Sequence, residues 1–467
     1  MNFNKKCVSF LAIGLVLVAS GCRQKSSQTK AHPFDKAEMS GQLKDFVAEK
    51  EAQANAAAKA EGKAVPAEFE SFFAAAAKGD YPAVTNFFNN MVKRGPQYGN
   101  GGNDENIRGP MWQMVMETYG AIEQTTLGNE KYTAKFGNDI IDSIPSGSIY
   151  FGGTDPGRFI VTALQKSHVA GDPFFTLTQN ALADGTYLDY LRSMYGGKIY
   201  IPTAADSQKC FQDYTEDVTR RQQNKQLKPG EIVQIDKDSG RVQVSGQASV
   251  MTINGLLVKT IFEKNPGREF YIEESFPLDW MYPNLEPHGL IMQINRQQLA
   301  ELSDEIVQRN HDYGAKTVQP MIGGWLKPDT TVAEVAVFAE KTYVKEDLSG
   351  FTGDPQFVQN DYSCKMFSKL RSSQGGLYAW RAQHATSADE KKRMSAAADF
   401  AYRQAFALCP YSSEVVYRYV NLLLPEGRLA DALLIAETAE KMPAMQGSNG
   451  EQLHSLVTQL KEFQKTK

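Results

Sequence analysis

The chain has 467 residues, enough for two or three domains, and its 42% hydrophobic content is ordinary for a globular protein. Lysine and arginine number 50 against 54 aspartates and glutamates, which gives a formal net charge of −4. Because such a chain has no strong positive field to attract phosphates, its composition argues against nucleic acid as the main partner.

The N-terminal residues have the pattern of an export signal. Lys5 and Lys6 precede an apolar run over residues 8–18, and small residues and Cys22 follow it directly. The run is too short to cross a bilayer, which takes ~20 residues. Residues 1–22 resemble a bacterial lipoprotein signal, and the resemblance implies that Cys22 becomes the first mature residue and carries acyl chains. A plain secretory signal with an incidental cysteine is the alternative.

The expected location follows from that signal. An acylated Cys22 would anchor the exported chain to a membrane, and no second apolar run in the sequence approaches membrane-spanning length. Arg23, in place of an aspartate after the cysteine, favours the outer membrane in a host that has two membranes, at its periplasmic face or surface. We therefore expect a lipid-anchored protein of the cell envelope.

The cysteines beyond the signal and the histidines do not have the spacing of a metal site. Cys210, Cys364 and Cys409 form no CxxC pair, and the six histidines are scattered. Three thiols cannot form a disulfide framework, so we expect buried free thiols, with a single disulfide bridge as the alternative. We predict no metal and no cofactor.

The segment after the signal has helical patterns. Residues 23–66 are rich in alanine, lysine, glutamate and glutamine, which predicts a flexible tether and then a polar helix over 36–60. In the region 67–139, aromatic residues recur at helical spacing on both sides of a Gly-Asp-Tyr-Pro break at 79–82. This pattern predicts a helical hairpin with one aromatic face, followed by a further helix over 111–121.

Strands alternate with helices over residues 140–300. A small hairpin is predicted over 230–245, turning at 238–240. Short apolar, β-prone runs predict the other strands at 148–151, 173–178, 198–202, 269–272 and 290–294. Such alternation is typical of βαβ units. The predicted fold class is therefore α/β, with a mainly parallel, three-layer core flanked by helical hairpins.

The remaining sequence is predicted to be helical, with a connector over 301–375 and repeats over 376–467. Small residues recur where helices must approach closely, and Pro410 and Pro443 close two units of about 34 residues. The pattern resembles tetratricopeptide repeats, with units at 376–410 and 411–443 and a capping helix at the end. The resemblance implies an envelope protein as partner. The candidate contact residues are Tyr411, Tyr417, Tyr419 and Asn421.

Four segments of the middle region follow an order found in a known family. They span residues 144–159, 174–202, 239–275 and 285–295. Their order is similar to that of the soluble C-terminal region of protein O-mannosyltransferase-like (C-type glycosyltransferase) membrane proteins. The resemblance implies an envelope role connected with glycans. In that family a membrane-embedded bundle is thought to hold the sugar donor and the catalytic carboxylate. This sequence has no such bundle, so transferase activity is not implied.

The candidate ligand site lies where the strands of such a sheet end. Ligands of parallel sheets bind at the carboxyl ends of the strands, where loops 152–158, 179–185 and 273–275 are expected to meet. The helix after the first loop begins with free N–H groups that suit an anion or a sugar hydroxyl. The candidate ligand-binding residues are Gly153, Thr154, Asp155, Arg158 and Asn180.

Simpler structural roles are the alternative for these residues. In that interpretation Asp155 caps the following helix and Arg158 pairs with a neighbouring acid. Glu273 and Glu274 directly follow a predicted strand, and because neighbouring strand residues point to opposite faces, the two side chains are not expected to face one substrate. We therefore expect a solvated pair of carboxylates rather than an acid–base pair.

The sequence leaves three functions open. The first is a non-catalytic, lipid-anchored envelope scaffold that contacts protein through its repeats and a glycan or a membrane enzyme through its α/β core. The second is an enzyme that acts on sugar- or phosphate-containing envelope molecules through the loop 152–158. The third is a structural lipoprotein without a small-molecule site. No catalytic residue is assigned.

Overall fold

The computed structural model describes residues 41–95, 102–165, 173–228, 230–235, 242–274, 276, 278–445 and 448–465. The predicted signal with Cys22, the tether before residue 41 and the hairpin turn at 238–240 lie outside the described residues. The structure is mostly helical, and it contains a mixed five-stranded sheet and a separate two-stranded hairpin.

The N-terminal part consists of helices that pack through aromatic rings. They are α1 (Gly41–Ala60), α2 (Ala67–Ala77), α3 (Tyr81–Val92), α4 (Pro110–Leu127) and α5 (Glu130–Ile141). The predicted helical hairpin is α2 and α3, and the Asp80 carboxylate caps α3 by accepting a hydrogen bond from the Ala83 N–H group. Phe88 of α3 stacks on Trp112 and Tyr119 of α4, which joins the hairpin to the rest of the molecule.

The main sheet is parallel in one half and antiparallel in the other. Its strands are β1 (Ile149–Gly152), β2 (Phe175–Thr178), β5 (Phe270–Ile272), β6 (Leu285–His288) and β7 (Ile291–Ile294). They are arranged in the order β2–β1–β5–β7–β6. Strand β1 pairs in parallel with β2 and β5, so that Tyr150 lies opposite Thr176 and Tyr271. The pairs β5–β7 and β7–β6 are antiparallel. The sheet is therefore mixed and not mainly parallel as predicted, because β6 and β7 form an antiparallel hairpin and parallel pairing is confined to β2, β1 and β5.

Helices connect the strands and cover them. They are α6 (Asp155–Leu164), α7 (Gly185–Tyr195), α8 (Ala204–Gln223) and α9 (Gln247–Lys264), with β3 (Ile232–Ile235) and β4 (Val242–Ser245) as the separate hairpin. Successive residues of β1 point to opposite faces, and both faces are buried. Tyr150 belongs to a core shared with the C-terminal helices, whereas Ile149 and Phe151 belong to a core shared with the N-terminal helices.

Two strand predictions differ from the structure. Residues 198–202 are not a strand, because the Asn265 side chain bonds to that backbone: it accepts from the Tyr200 N–H group at 2.7 Å and donates to the Tyr200 carbonyl at 3.1 Å. Strand β6 was not predicted, since Glu286, Pro287 and His288 favour strands poorly. It lies at the sheet edge, where a proline is tolerated.

The C-terminal part is helical, as predicted. Its helices are α10 (Asp304–Ile322), α11 (Val332–Ala339), α12 (Pro355–Val358), α13 (Asp361–His384), α14 (Ala388–Leu408), α15 (Ser413–Leu423), α16 (Leu429–Glu440) and α17 (Ser448–Lys465). From α13 to α17, each helix packs against the next. Helix α13 runs without a break through the predicted domain boundary at residue 376.

Two further expectations concern the state of the cysteines and the presence of membrane-spanning helices. Cys210, Cys364 and Cys409 are free and buried, which confirms the prediction of free thiols. Over the described part of the chain, none of the helices is both long and apolar enough to traverse a bilayer.

Candidate functional site

The carboxyl ends of β1, β2 and β5 bring together three of the predicted residues. Gly153 and Thr154 follow β1, and Asn180 follows β2. The Asn180 side chain donates a hydrogen bond to the Gly153 carbonyl at 2.8 Å. Asn254 of α9 fixes the second loop, because it donates to the Asn180 carbonyl at 3.0 Å and accepts from the Ala183 N–H group at 2.7 Å. The loops after β1 and β2 therefore meet at a hydrogen-bonded junction.

The Glu273 carboxylate fills this junction. It is fully buried, and its Oε2 atom accepts hydrogen bonds from the Gly153 N–H group at 2.7 Å and the Thr154 N–H group at 2.6 Å. Its Oε1 atom accepts from the Thr154 hydroxyl at 2.8 Å. Burial raises the pKa of Glu273, and the hydrogen bonds from Thr154 and Gly153 oppose that rise. The carboxylate thus occupies the place at the start of α6 where an external anion would bind.

Gly157 makes room for that carboxylate. A Cβ atom at this position would lie only 2.2 Å from Glu273 Oε2. A side chain at residue 157 and the observed position of Glu273 are therefore incompatible. The observed position of the Glu273 carboxylate against the first turn of α6 therefore depends on a glycine here.

The expectation of a solvated pair at Glu273 and Glu274 is wrong, since both side chains are buried. Glu274 pairs with Arg418 at 3.0 Å and accepts a hydrogen bond from the Tyr282 hydroxyl at 3.0 Å. As predicted for adjacent residues after a strand, the two carboxylates have separate partners. The sequence could not show their burial, because the partners lie far away along the chain.

Asp155 and Arg158 lie beside the junction and have roles of their own. Thr154, not Asp155, caps α6: its hydroxyl oxygen accepts from the Gly157 N–H group at 3.1 Å. The Asp155 side chain is 45% exposed, and Arg158 Nε lies 3.6 Å from its Oδ1 atom. The Arg158 guanidinium also lies 3.9 Å from the centre of the Phe159 ring. The structural alternative is therefore confirmed for Arg158, which pairs with a neighbouring acid, and wrong for Asp155, which does not cap α6.

The four candidate contact residues of the repeats do not form one surface. Tyr419 has no exposed surface, and its hydroxyl donates to Asp399 at 2.7 Å, so its proposed role in surface contact is wrong. Tyr411 is half-buried and packs edge-on against Tyr343. Tyr417 is half-buried and Asn421 is exposed. These last two are four residues apart in α15 and share a helix face.

An open groove that the sequence did not reveal lies at the junction of α13 and α14. Its volume is about 450 Å³, and its walls include Gln298, Trp380, Arg381, His384 and Glu390. The Trp380 and His384 rings stack with their centres 4.1 Å apart. Arg381 fixes the opposite wall by donating to the Leu299 carbonyl at 2.7 Å. The aromatic residue Trp380 was the available sequence signal, but the loop that completes the groove comes from a distant segment.

Comparisons with known proteins gave no match to a family model, to a curated protein or to a solved structure. The functional interpretation therefore depends on the residues and contacts described above.

Proposed function

We propose that this chain is a lipid-anchored protein of the cell envelope that binds other molecules and does not catalyse a reaction. The observation that carries the proposal is the position of Glu273. Its carboxylate accepts hydrogen bonds from the donors of Gly153 and Thr154, which a substrate would otherwise use. Anchoring through Cys22 and export to the envelope are supported by the signal pattern of residues 1–22.

The energetics favour binding elsewhere over catalysis at this junction. Hydrogen bonds to a charged group contribute roughly 1.5–3 kcal/mol each, and three of them hold Glu273. A phosphate or sugar that entered the loop 152–158 would have to replace all three and leave a buried carboxylate without partners. The enzymatic alternative therefore requires a rearrangement of β5 or α6 before any substrate could bind.

The groove between α13 and α14 is the surface that best suits a glycan. Its volume of about 450 Å³ falls within the range typical of ligand sites. The Glu390 carboxylate and the Gln298 amide provide acceptors and a donor for hydroxyl groups, and the exposed His384 ring, stacked on Trp380, offers an apolar face. A protein partner would contact the helical repeats through the face that carries Tyr417 and Asn421.

The proposal also includes a three-layer core, tetratricopeptide-like repeats and a relation to a family of membrane proteins. A three-layer core is supported by the two hydrophobic cores on opposite faces of the sheet. The tetratricopeptide-like character is supported by α15 and α16, whose bounds fall within the predicted unit 411–443. The relation to the soluble region of C-type glycosyltransferase-like membrane proteins is supported by the order of the four sequence segments.

The test of binding uses immobilised envelope glycans and the purified chain. Glu390→Gln should weaken glycan binding about tenfold, because a neutral amide oxygen replaces a charged acceptor. Asp155→Ala is the matched control and should leave binding unchanged, since the loop 152–158 is already occupied by Glu273. Turnover of an activated sugar or a phosphoester by the purified chain, abolished by Asp155→Ala, would instead establish the enzymatic alternative.

The anchor is tested separately by cell fractionation. Cys22→Ser removes the thiol that would be acylated, so the variant should move from the membrane fraction to the soluble fraction of the envelope. Retention of Cys22→Ser in the membrane fraction would refute the lipid anchor.

A further inference from the structure

Arg371 is a buried arginine that bonds only to uncharged side chains. Its Nε atom donates to Gln404 Oε1 at 2.7 Å, and its Nη1 atom donates to Asn310 Oδ1 and Gln374 Oε1, both at 2.7 Å. Burial lowers the pKa of Arg371 to about 10, so the guanidinium remains protonated at neutral pH. The amides satisfy three of its hydrogen bonds, but they do not balance its positive charge.

Two other buried arginines of the described residues have carboxylate partners, whereas the buried Arg381 donates to backbone carbonyls. Arg418 lies 3.0 Å from Glu274, and Arg403 lies 3.0 Å from Asp399. Within the described ranges, no carboxylate oxygen lies within 4.0 Å of the Arg371 guanidinium. An unbalanced buried charge destabilises the folded state by several kcal/mol. The described residues around Arg371 therefore supply no negative charge that would balance its guanidinium group.

A small cavity lies beside the unsatisfied end of this guanidinium. The Nη2 atom of Arg371 has no hydrogen-bond partner among the described residues. The cavity has a volume of about 20 Å³, and its walls include Arg371, Gln374, Tyr313, Gly314 and Gly289. A Cβ atom at Gly314 would lie 3.2 Å from Nη2, so the glycine leaves space next to this atom. The volume suits one water molecule or one monatomic ion.

We propose that Arg371 and this cavity form a binding site for a single chloride ion. Chloride would accept the hydrogen bond that Nη2 has to offer and would also neutralise the guanidinium. A water molecule could accept this hydrogen bond but would not neutralise the guanidinium, and a polyatomic anion would exceed the volume of the cavity. The site lies where α10 and α13 meet the β6–β7 turn, because Gln374 also donates to the Gly289 carbonyl at 2.8 Å. Bound chloride therefore stabilises the contact between the sheet and the C-terminal helices.

The first experiment measures thermal unfolding of the full chain in chloride and in gluconate at the same ionic strength. Because a ligand of the folded state raises stability, the midpoint should rise by about 2 °C when chloride is about ten times its dissociation constant. Arg371→Met should abolish the difference between the two salts. Arg403→Met is the matched control, since its arginine already has a carboxylate partner, and this variant should keep the difference.

A second variant and a direct observation guard against a failure of Arg371→Met to fold. Gly314→Ala keeps the arginine but places a methyl group against Nη2, so it should also remove the chloride effect. In crystals grown with bromide, an anomalous peak should lie beside Nη2. Equal midpoints in the two salts, a chloride effect that persists in Gly314→Ala, or a bromide map without a peak at Nη2 would each overturn the proposal.

Discussion

Lys50 is a lysine without exposed surface, held by one buried cluster of polar groups. Its ammonium group lies 2.6 Å from Glu117 Oε2 and donates to the Tyr190 hydroxyl at 2.8 Å. The same hydroxyl donates to Glu117 Oε2 at 2.5 Å. Helices α1, α4 and α7 each contribute one member, so the cluster fixes α1 against the rest of the molecule.

Removing one charge of this cluster should be much worse than removing both. Lys50→Met leaves the Glu117 carboxylate without its cation, and we expect the free energy of unfolding to fall by about 3–5 kcal/mol. The double variant Lys50→Met, Glu117→Met should lose less than either single variant, because it leaves no buried charge without a partner. Urea unfolding of all four chains measures the coupling. Strictly additive losses would mean that the pair has no energetic coupling.

At the scale of elements, Asp354 joins α5 to the start of α12. Its Oδ2 atom accepts from Lys131 Nζ at 2.6 Å and from the Tyr132 hydroxyl at 2.7 Å, and its Oδ1 atom accepts from the Gln356 N–H group at 2.9 Å. Burial acts to raise the pKa of Asp354, but the hydrogen bonds from Lys131 and Tyr132 outweigh it. The net result is a pKa below the ordinary 3.8.

This lowered pKa predicts a pH dependence with a definite sign. The folded-state pKa lies below the unfolded one, so the carboxylate stabilises the fold above pH 3.8, and that contribution is lost as the pH falls through the folded value. Asp354→Asn should lower the free energy of unfolding by about 1–2 kcal/mol at neutral pH. The difference between the variant and the unmodified chain should shrink below pH 3.8.

A control for this prediction is available on the surface. The Asp279 side chain is 89% exposed, so Asp279→Asn should change the free energy of unfolding by less than about 0.5 kcal/mol at either pH. Urea unfolding at neutral and acidic pH provides the measurement. If the difference in free energy of unfolding between Asp354→Asn and the unmodified chain grew at acidic pH, the assigned direction of the pKa shift would be wrong.

The elements that could be predicted from sequence are those with local signals. Strands β1 and β2 are buried on both faces and therefore appear as continuous apolar runs, and the aromatic face of α2 and α3 has helical spacing. The loops after β1 and β2 could be placed together because parallel strands end at one edge. The position of the Glu273 carboxylate at that edge could not be predicted, since Glu273 is separated from Gly153 by 120 positions in the sequence. Strand β6 was missed because its pairing with β7, and not its own composition, makes it a strand.

For the whole molecule, Arg418 connects the C-terminal helices to the sheet. It lies on α15 and is buried, 3.0 Å from Glu274 after β5 and 2.8 Å from Glu414. Lys369 of α13 lies 2.6 Å from the same Glu414. The acids raise the pKa of Arg418 despite its burial. A network of charges, buried at Arg418 and Glu274 and partly buried at Lys369 and Glu414, thus links α13, α15 and the end of β5.

Breaking this network should uncouple α15 from the sheet. Arg418→Met leaves the buried Glu274 carboxylate without its cation and Glu414 with Lys369 alone, and we expect a loss of about 3–5 kcal/mol in the free energy of unfolding. Hydrogen exchange should show α15 and β5 opening together in the unmodified chain and α15 opening first in the variant.

The matched control is Arg393→Met, whose arginine is more exposed and pairs with Asp304 at the surface. This substitution should cost less than about 1 kcal/mol and leave the exchange pattern unchanged. Similar stability losses in Arg418→Met and Arg393→Met would show that the buried network does not couple the two parts.

The glycine at 157 has a consequence for any homologue of this chain. A homologue with alanine or serine there has no space for a glutamate carboxylate in the same place, because the new Cβ atom would collide with it. In such a protein the donors at the start of the helix would be free to bind a phosphate or a sugar. The residues at positions 157 and 273 therefore distinguish homologues in which a carboxylate fills this site from homologues in which the site could accept a ligand.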